Sequence, residues 1–498
     1  MHIENKRLLA GLQEAVDGLA ALNDTAQAKT FQSAASTILS ELARRENRKQ
    51  IVADYARGIE HGNALVVAMA LEGVVTRDGA QQLADLPNSL PADIDVEGGF
   101  RALDRLRAAL TRLLKDSGYP KTDGSDTNAA VLALFDWEFS LCRLPTPQQA
   151  TAATSSTPRA TVDMKAVLER SIRAQGGKFG KAQVSSLTAL HGGFGKNTTL
   201  FEVAGNDGQP WKLVSRAMQD IPLLDLPAQD IGREYRMLRY AFRHGIRVAE
   251  PLWLENDKAV HGVRFLVSRQ APGRNLGSAV SAEPLSAAQV RSLAVELAKI
   301  HNLSLDEGDA DLKQSAVDAR DLRRPLGDIV CDYLTFWYGQ WTRIGAGAYP
   351  MVEATFKWLL ANVPQVDDVP VLLHGDYALH NILIDGDEVR GILDWEMYHI
   401  GDRSEDVSWL LSSIGKHVTQ QEFMSEYVAA GGRPISDFQL KYYEVLVHLK
   451  LMIVALESQL RVQQLPHAGP HFCILGLGFI QHPAANLERV IREAEKVR

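Results

Sequence analysis

Three short apolar runs crowd together in VPVLLHGDYALHNILIDGDEVRGILDWE, residues 369–396, and they constrain the fold more than any other part of the chain. Val371 to Leu373 reads as a buried strand ending on His374-Gly375-Asp376. The runs NILI and VRGIL flank Asp385-Gly386-Asp387, a turn that predicts a β-hairpin. Such a hairpin holds its two ends near each other, with Asn381 opening one strand and Asp394 closing the other. The loop before it carries Asp376 to the same edge. Two carboxylates and an amide oxygen are hard ligands of the kind Mg²⁺ takes while leaving positions free for phosphate oxygens. An isolated HGD tripeptide would read as a turn or capping aspartate, but three such residues in register point to phosphoryl transfer.

The rest of the chain divides by pattern. Residues 1–143 return apolar side chains every three or four positions, as in Phe31, Ala34, Ile38, Leu39 and Leu42, which predicts an all-helical domain. Further helical stretches are expected over 61–85, 96–117 and 127–142. Residues 144–162 are rich in Pro, Thr, Ser and Ala and form no apolar face, so they read as a linker. From 163 to 270 short β-type runs such as LFEVAG, WKLVSR and RFLVSR surround one strong helix, which predicts a small mixed sheet with a packed helix. Residues 271–498 are mainly helical apart from the hairpin region.

With 46% hydrophobic and 23% charged residues among 498, the chain has the composition of packed globular domains. A net charge of -8 offers no footprint for a nucleic-acid backbone. Three scattered cysteines, Cys142, Cys331 and Cys473, have no zinc or disulfide spacing. The first residues lack the unbroken apolar core of a signal peptide, and no apolar run reaches the roughly 20 residues of a membrane helix. A cytoplasmic protein without nucleic-acid or membrane partners is expected.

HGDYALHN followed by ILDWE resembles the catalytic and metal-binding signature of the aminoglycoside phosphotransferase-like branch of the protein-kinase fold. The resemblance implies an α+β, bilobal, protein-kinase-like fold, with a small β-rich N-lobe over 163–270 and a mainly helical C-lobe over 271–498. It implies ATP and Mg²⁺, with Asp376 orienting the acceptor hydroxyl and taking its proton, and with Asn381 and Asp394 holding the metal. His374 is a further catalytic candidate and Glu396 a further metal candidate. Asp406, resembling an acidic residue that supports the catalytic loop, is also a good first-turn helix residue.

Such a fold requires, upstream, a glycine-containing strand turn, a basic residue on a strand and an acidic residue on a helix. Leu190 to Thr198 includes Gly192, Gly193 and Gly195, whose backbone amides would approach phosphates, and Lys196, which reaches a phosphate or points to solvent. It is not a Walker loop, because Leu190 stands where the first glycine belongs and Asn197 where Ser or Thr should follow the lysine. Arg216, ending the run LVSR, resembles the residue that contacts the α- and β-phosphates; Lys212 is the competitor, expected nearer the opposite face. Glu234 is its expected partner. Ile231, Glu234, Leu238 and Phe242 fall on one helical face, so the carboxylate shares a buried stripe and needs a cation. The backbone near Gln270 is expected to face the adenine.

The acceptor is not set by these motifs. The mixed or basic charge of DARDLRRP and HLKLMIVALESQLR disfavours a polycationic aminoglycoside. The branch with Arg on the nucleotide strand and a DWE motif is similar to kinase domains linked to acyl-CoA metabolism, which makes a hydroxyacyl-CoA the leading expectation, before an aminoglycoside or other small alcohol. A catalytically silent scaffold is the alternative from another class. The stretch KTFQSAASTILSELARRENRK resembles small helical partners encoded or fused with such kinases, which implies a homodimerisation or docking role for the first domain; a stabilising cap is the alternative.

Overall fold

The computed structural model of the protein describes residues 35–39, 48–76, 89–91, 93–117, 119, 129–142, 163–190, 195–206, 208–219, 222, 224, 226, 229–278, 282–345, 349–464, 472 and 474–498. Gly192, Gly193, Phe31, Ala34, Leu42 and the segment 144–162 lie outside the described residues. The chain folds as two compact units, one from Thr157–Val330 and Val366–Tyr443, the other from Met1–Ser156, Cys331–Gln365 and Glu444–Arg498.

The first of these units carries every described candidate site residue. After helix α1 (Met164–Ala174), β1 (Val184–Leu190), β2 (Lys196–Ala204) and β3 (Pro210–Met218) form hairpins, and α2 (Ile231–Arg243) intervenes before β4 (Pro251–Glu255) and β5 (Phe265–Arg269). The sheet order is β1-β2-β3-β5-β4 and every pairing is antiparallel, where a mixed sheet was expected. The run VSSLTAL of β1 hides its strand character because six of its seven residues are exposed, so no apolar alternation marks it. One face of the sheet closes over a core that includes Phe201, Leu213, Trp253, Phe265 and Val267.

Asp230 starts α2 by accepting from the backbone N–H groups of Gly232 and Arg233, which fixes where the helix begins and hence where Glu234 points. Ile231, Glu234 and Leu238 are buried as the spacing predicted, but Phe242 is 44% exposed in the last turn of the helix. Beyond β5 the chain makes a bridge between Arg274 and Ile384, then forms α3 (Ala287–His301), begun by a Ser286/Gln289 capping box.

Strand β6 (Val371–Leu373) pairs with β9 (His399–Gly401), and β7 (Ile382–Asp385) pairs with β8 (Glu388–Ile392) as the predicted hairpin. Gly386 takes φ of 60° in its tight turn. α4 (Ser404–Ile414) and α5 (Gln420–Ala429) follow. Tyr377, Ile382, Ile392, Trp395, Val407 and Leu293 share one buried cluster, so the loop, the hairpin and two helices are fixed against a common core.

The second unit is helical, with Arg48–Leu71, Val96–Asp116, Ala129–Leu141, Pro350–Ala361 and Gln481–Val497 as its described principal helices. Residues 331–365 and 444–498, expected within a single C-lobe over 271–498, group instead with the N-terminal helices. The cause is specific pairing. The Lys357 ammonium donates to the carbonyls of Leu114 and Ser117 at 2.6 Å each, satisfying a helix C-terminus, and the Trp358 indole donates to Glu495 at 2.6 Å. Arg107 and Glu138 are buried as an ion pair beneath the Tyr349 ring. No described helix is long and apolar enough to cross a membrane.

Candidate active site

Lys196 opens β2, Arg216 lies near the end of β3, and Glu234 sits in the first turn of α2. Their side chains converge on the residues that follow β8. Arg216 Nη2 lies 2.6 Å from Asp394 Oδ1, and its Nη1 lies 3.4 Å from Glu234 Oε1. Lys196 Nζ is 2.7 Å from Glu396 Oε2 and 3.9 Å from Glu234 Oε2. Lys196 is buried and does not point to solvent. Two cations thus meet three carboxylates.

Lys212 shares the Arg216 face, being four residues away on one strand, which corrects the expected opposite placement. It lies at the far end of β3, 67% exposed beside Glu202.

The burial of this network shapes its proton affinities. Burial pushes the Asp394 carboxyl up, but the charge and hydrogen bond of Arg216 outweigh it and hold the group below the usual carboxylate range. Burial and the neighbouring Asp394 charge push Glu396 up to about 7 despite Lys196. Glu396 also accepts from Gln229 Nε2 at 3.4 Å. Gly195 packs so tightly on Glu396 that a β-carbon there would collide with the carboxylate. Asp394 itself adopts φ of 61°, a left-handed conformation costing a non-glycine residue about 1–3 kcal/mol, held by the surrounding structure.

The loop after β6 is held mainly through its backbone. Asp406, fully buried at the start of α4, accepts from the N–H groups of His374 and Gly375 at 2.8 Å each. His301 Nε2 reaches Asp406 at 3.3 Å, and its Nδ1 is 2.7 Å from the Tyr427 hydroxyl. Gly375 has φ of 79° and lies against the Met397 carbonyl, where a side chain has no room.

His374 is wholly buried, with Nε2 donating to the Leu393 carbonyl at 2.8 Å and Nδ1 accepting from the Asp376 N–H at 3.2 Å. Both ring nitrogens are therefore spent on backbone, and His374 fixes the aspartate's position while stacking edge-on against Trp395.

Asn381 Nδ2 donates to Asp376 Oδ2 at 2.7 Å and to the Asp376 carbonyl at 3.1 Å. Asp376 Oδ1 is buried without a hydrogen-bond partner among the described residues. Asn381 engages its amide nitrogen, and among the described residues no donor is recorded on its Oδ1, which together with the 28% exposed Asp394 carboxylate could hold a cation. Among the described residues no group of three or more His, Cys, Asp or Glu is gathered for a metal. Two protein oxygens suit Mg²⁺, which commonly takes one or two side-chain ligands beside substrate phosphates.

Several residues here were not singled out from sequence. Asn275 Nδ2 donates to the carbonyls of His380, Ile382 and Leu379 at 2.7, 3.1 and 3.3 Å, clasping the loop from a segment more than a hundred residues upstream. His380 Nε2 is 3.3 Å from Asp376 Oδ2, and its place four residues after Asp376 was the one available signal. Gln270 follows β5; its N–H is taken by the Lys212 carbonyl at 3.0 Å and its side chain is exposed.

Residues 205–441 match the family model described as Phosphotransferase enzyme family, APH. The chain carries a phosphotransferase enzyme family domain. That match takes in β3 to β5 of the sheet and the Asp376 loop described above but not β1 or β2, and the architecture is the α+β, kinase-like one. Over 190 residues the chain is 30% identical to acyl-CoA dehydrogenase family member 11 of Mus musculus, an alignment covering 37% of this chain and 23% of that protein. Over 92 residues it is 26% identical to the aminoglycoside 3'-phosphotransferase of Niallia circulans, covering 18% of this chain and 35% of that protein. The chain thus spans less than half the length of either curated relative. Among solved structures it is similar to a macrolide 2'-phosphotransferase from Brachybacterium faecium, at 19% identity and a TM-score of 0.41, over 58% of this chain and 92% of the other.

Proposed function

We propose that this chain is an ATP-dependent phosphotransferase acting on a hydroxyl group of a small molecule. The observation that carries the reading is the Asp376 carboxylate: one oxygen is held by Asn381, and the other is buried with no donor among the described residues. An unpaired buried acceptor costs about 1–3 kcal/mol, and an incoming hydroxyl would satisfy it. The phosphotransferase family match over 205–441 supports the same reading.

In this reading Asp376 receives the acceptor's hydroxyl proton as the acceptor oxygen bonds to the γ-phosphorus and the bond from that phosphorus to the β,γ-bridging oxygen breaks, releasing ADP. Arg216 and Lys196 leave their carboxylate partners in part to meet phosphate oxygens, and Glu234 keeps Arg216 oriented. The Gly195 amide approaches the phosphates, and the segment at Gln270 lies against the base. Asn381 and Asp394 would hold a metal ion, and Glu396 restrains Lys196. Mg²⁺, when bound, supplies charge neutralisation across the phosphates.

For the acceptor, a hydroxyacyl-CoA remains the first candidate, supported by the relative named as an acyl-CoA dehydrogenase family member. The charge of DARDLRRP adds little, because Arg320, Arg323 and Arg324 are paired with Asp318, Glu307 and Asp321. An aminoglycoside or another small alcohol is the second candidate, favoured by the Niallia circulans relative.

The test is transfer from γ-labelled ATP with Mg²⁺ to a panel of hydroxyacyl-CoAs, aminoglycosides and small alcohols, comparing wild type with Asp376→Ala. Transfer to one class, reduced by roughly 10²-fold or more in the variant, is expected. Tight ATP binding with no transfer to any class would replace this reading with a silent scaffold.

A further inference from the structure

Among the described residues, His380 is the one polar side chain hydrogen-bonded to the Asp376 carboxylate to which the proposed reaction assigns no task. We infer that His380 is a positioning residue for Asp376, its ring Nε2–H joining the Asn381 amide on Oδ2 so that Oδ1 alone is presented to the acceptor hydroxyl. This rests on the phosphotransferase reading above.

The short 3₁₀ turn Leu379–Asn381, closed by Asn381 N–H donating to the Ala378 carbonyl at 2.8 Å, turns two consecutive side chains back toward Asp376. Asn381 Nδ2 arrives at 2.7 Å and His380 Nε2 at 3.3 Å, both on Oδ2. An ionised carboxylate has no proton to give, so the imidazole nitrogen facing it must be the one that carries hydrogen. The other ring nitrogen, Nδ1, is buried without a partner among the described residues, so the described hydrogen bonding of this ring is to Asp376. The backbone bearing the ring is itself held, because the His380 carbonyl accepts from Asn275 at 2.7 Å.

The physical need is rotational. With a single donor on Oδ2 a carboxylate can swing about its Cβ–Cγ bond and exchange its two oxygens; a second donor on the same oxygen resists the swing. A base displaced by fractions of an ångström from its hydroxyl loses rate without losing substrate affinity. A ring that only filled space would be replaced equally well by an apolar side chain of similar size.

The experiment compares His380→Gln, whose amide nitrogen reaches nearly where Nε2 does, with His380→Leu and with His380→Asn, whose amide is too short. It uses the full chain, the acceptor identified with Asp376→Ala, and separate titration of ATP. His380→Leu and His380→Asn are expected to lower kcat roughly 10- to 100-fold with acceptor KM and ATP Kd little changed. His380→Gln should recover kcat to within about threefold of wild type. Gln as slow as Asn, or Leu as fast as wild type, overturns the assignment.

A readout independent of turnover is the ¹⁵N spectrum of the His380 ring. Nε2 carrying the proton, with a signal that moves in Asp376→Asn, is expected; a ring protonated at Nδ1 alone overturns the assignment. Failure of wild type to transfer phosphate to any acceptor, with the expected ring spectrum, would instead count against the phosphotransferase reading.

Discussion

The guanidinium of Arg216 lies 2.6 Å from the carboxylate of Asp394, joining a strand of the sheet to the end of the hairpin across 178 residues of sequence. The same guanidinium faces Glu234, which is fully buried. Removing one member of a buried charge set leaves the others uncompensated, at about 3–5 kcal/mol. Arg216→Met is therefore expected to lower the melting temperature sharply and to weaken ATP binding. Adding Glu234→Gln should recover much of the stability but not the ATP affinity. Thermal unfolding and nucleotide titration of the single and double variants check this, and an unchanged melting temperature for Arg216→Met would contradict it.

Asn275→Ala removes the donor that three carbonyls of the catalytic loop share. A loss of about 1–3 kcal/mol is expected, because the carbonyls are left unsatisfied. Transfer should also slow, since the loop bearing His380 and Asn381 loses its clasp. Asn275→Asp should be no better than alanine, because an ionised carboxylate has no N–H to give and repels the carbonyl oxygens. Denaturant unfolding together with kcat for both variants decides the point.

Asp230 links pH to the helix that carries Glu234. Burial raises its proton affinity, but the hydrogen bond and charge of Arg264 at 2.6 Å and the N–H groups of Arg233 and Gly232 lower it further, so its folded-state pKa falls below 3.8. A depressed folded pKa means that the stabilisation is fully present above the unfolded value and is lost as pH falls through the folded one. Asp230→Ala should therefore cost about 1 kcal/mol at neutral pH, the usual worth of a helix cap. That deficit should shrink below about pH 4. Asp230→Asn, which keeps the cap but not the charge, should lie between wild type and alanine. Unfolding free energies measured across that pH range test the sign.

The helical spacing of Ile231, Glu234 and Leu238 was enough to put a carboxylate in a buried stripe, because a periodicity of 3.6 residues belongs to the sequence itself. The hairpin around Gly386 was legible for a similar reason, since turn chemistry and flanking apolar runs are local. Strand β1 was not legible, its exposed residues lacking any contrast between faces. Nor could sequence distinguish a solvent-facing Lys196 from one buried beside Glu396, a partner 200 residues away.

What the sequence alone determined about this protein is local: helix faces, the hairpin turn at Gly386 and the order of Asp376, Asn381 and Asp394 along the hairpin region. Tertiary structure decided which charges meet. It placed Arg216 on Asp394, Lys196 on Glu396, Asn275 beneath the loop and His380 on Asp376. It also drew residues 331–365 and 444–498 into the unit of the N-terminal helices. The physical reason is that propensity and turn preference act over a few residues, whereas buried side chains take whichever partners the packed core brings within hydrogen-bond distance.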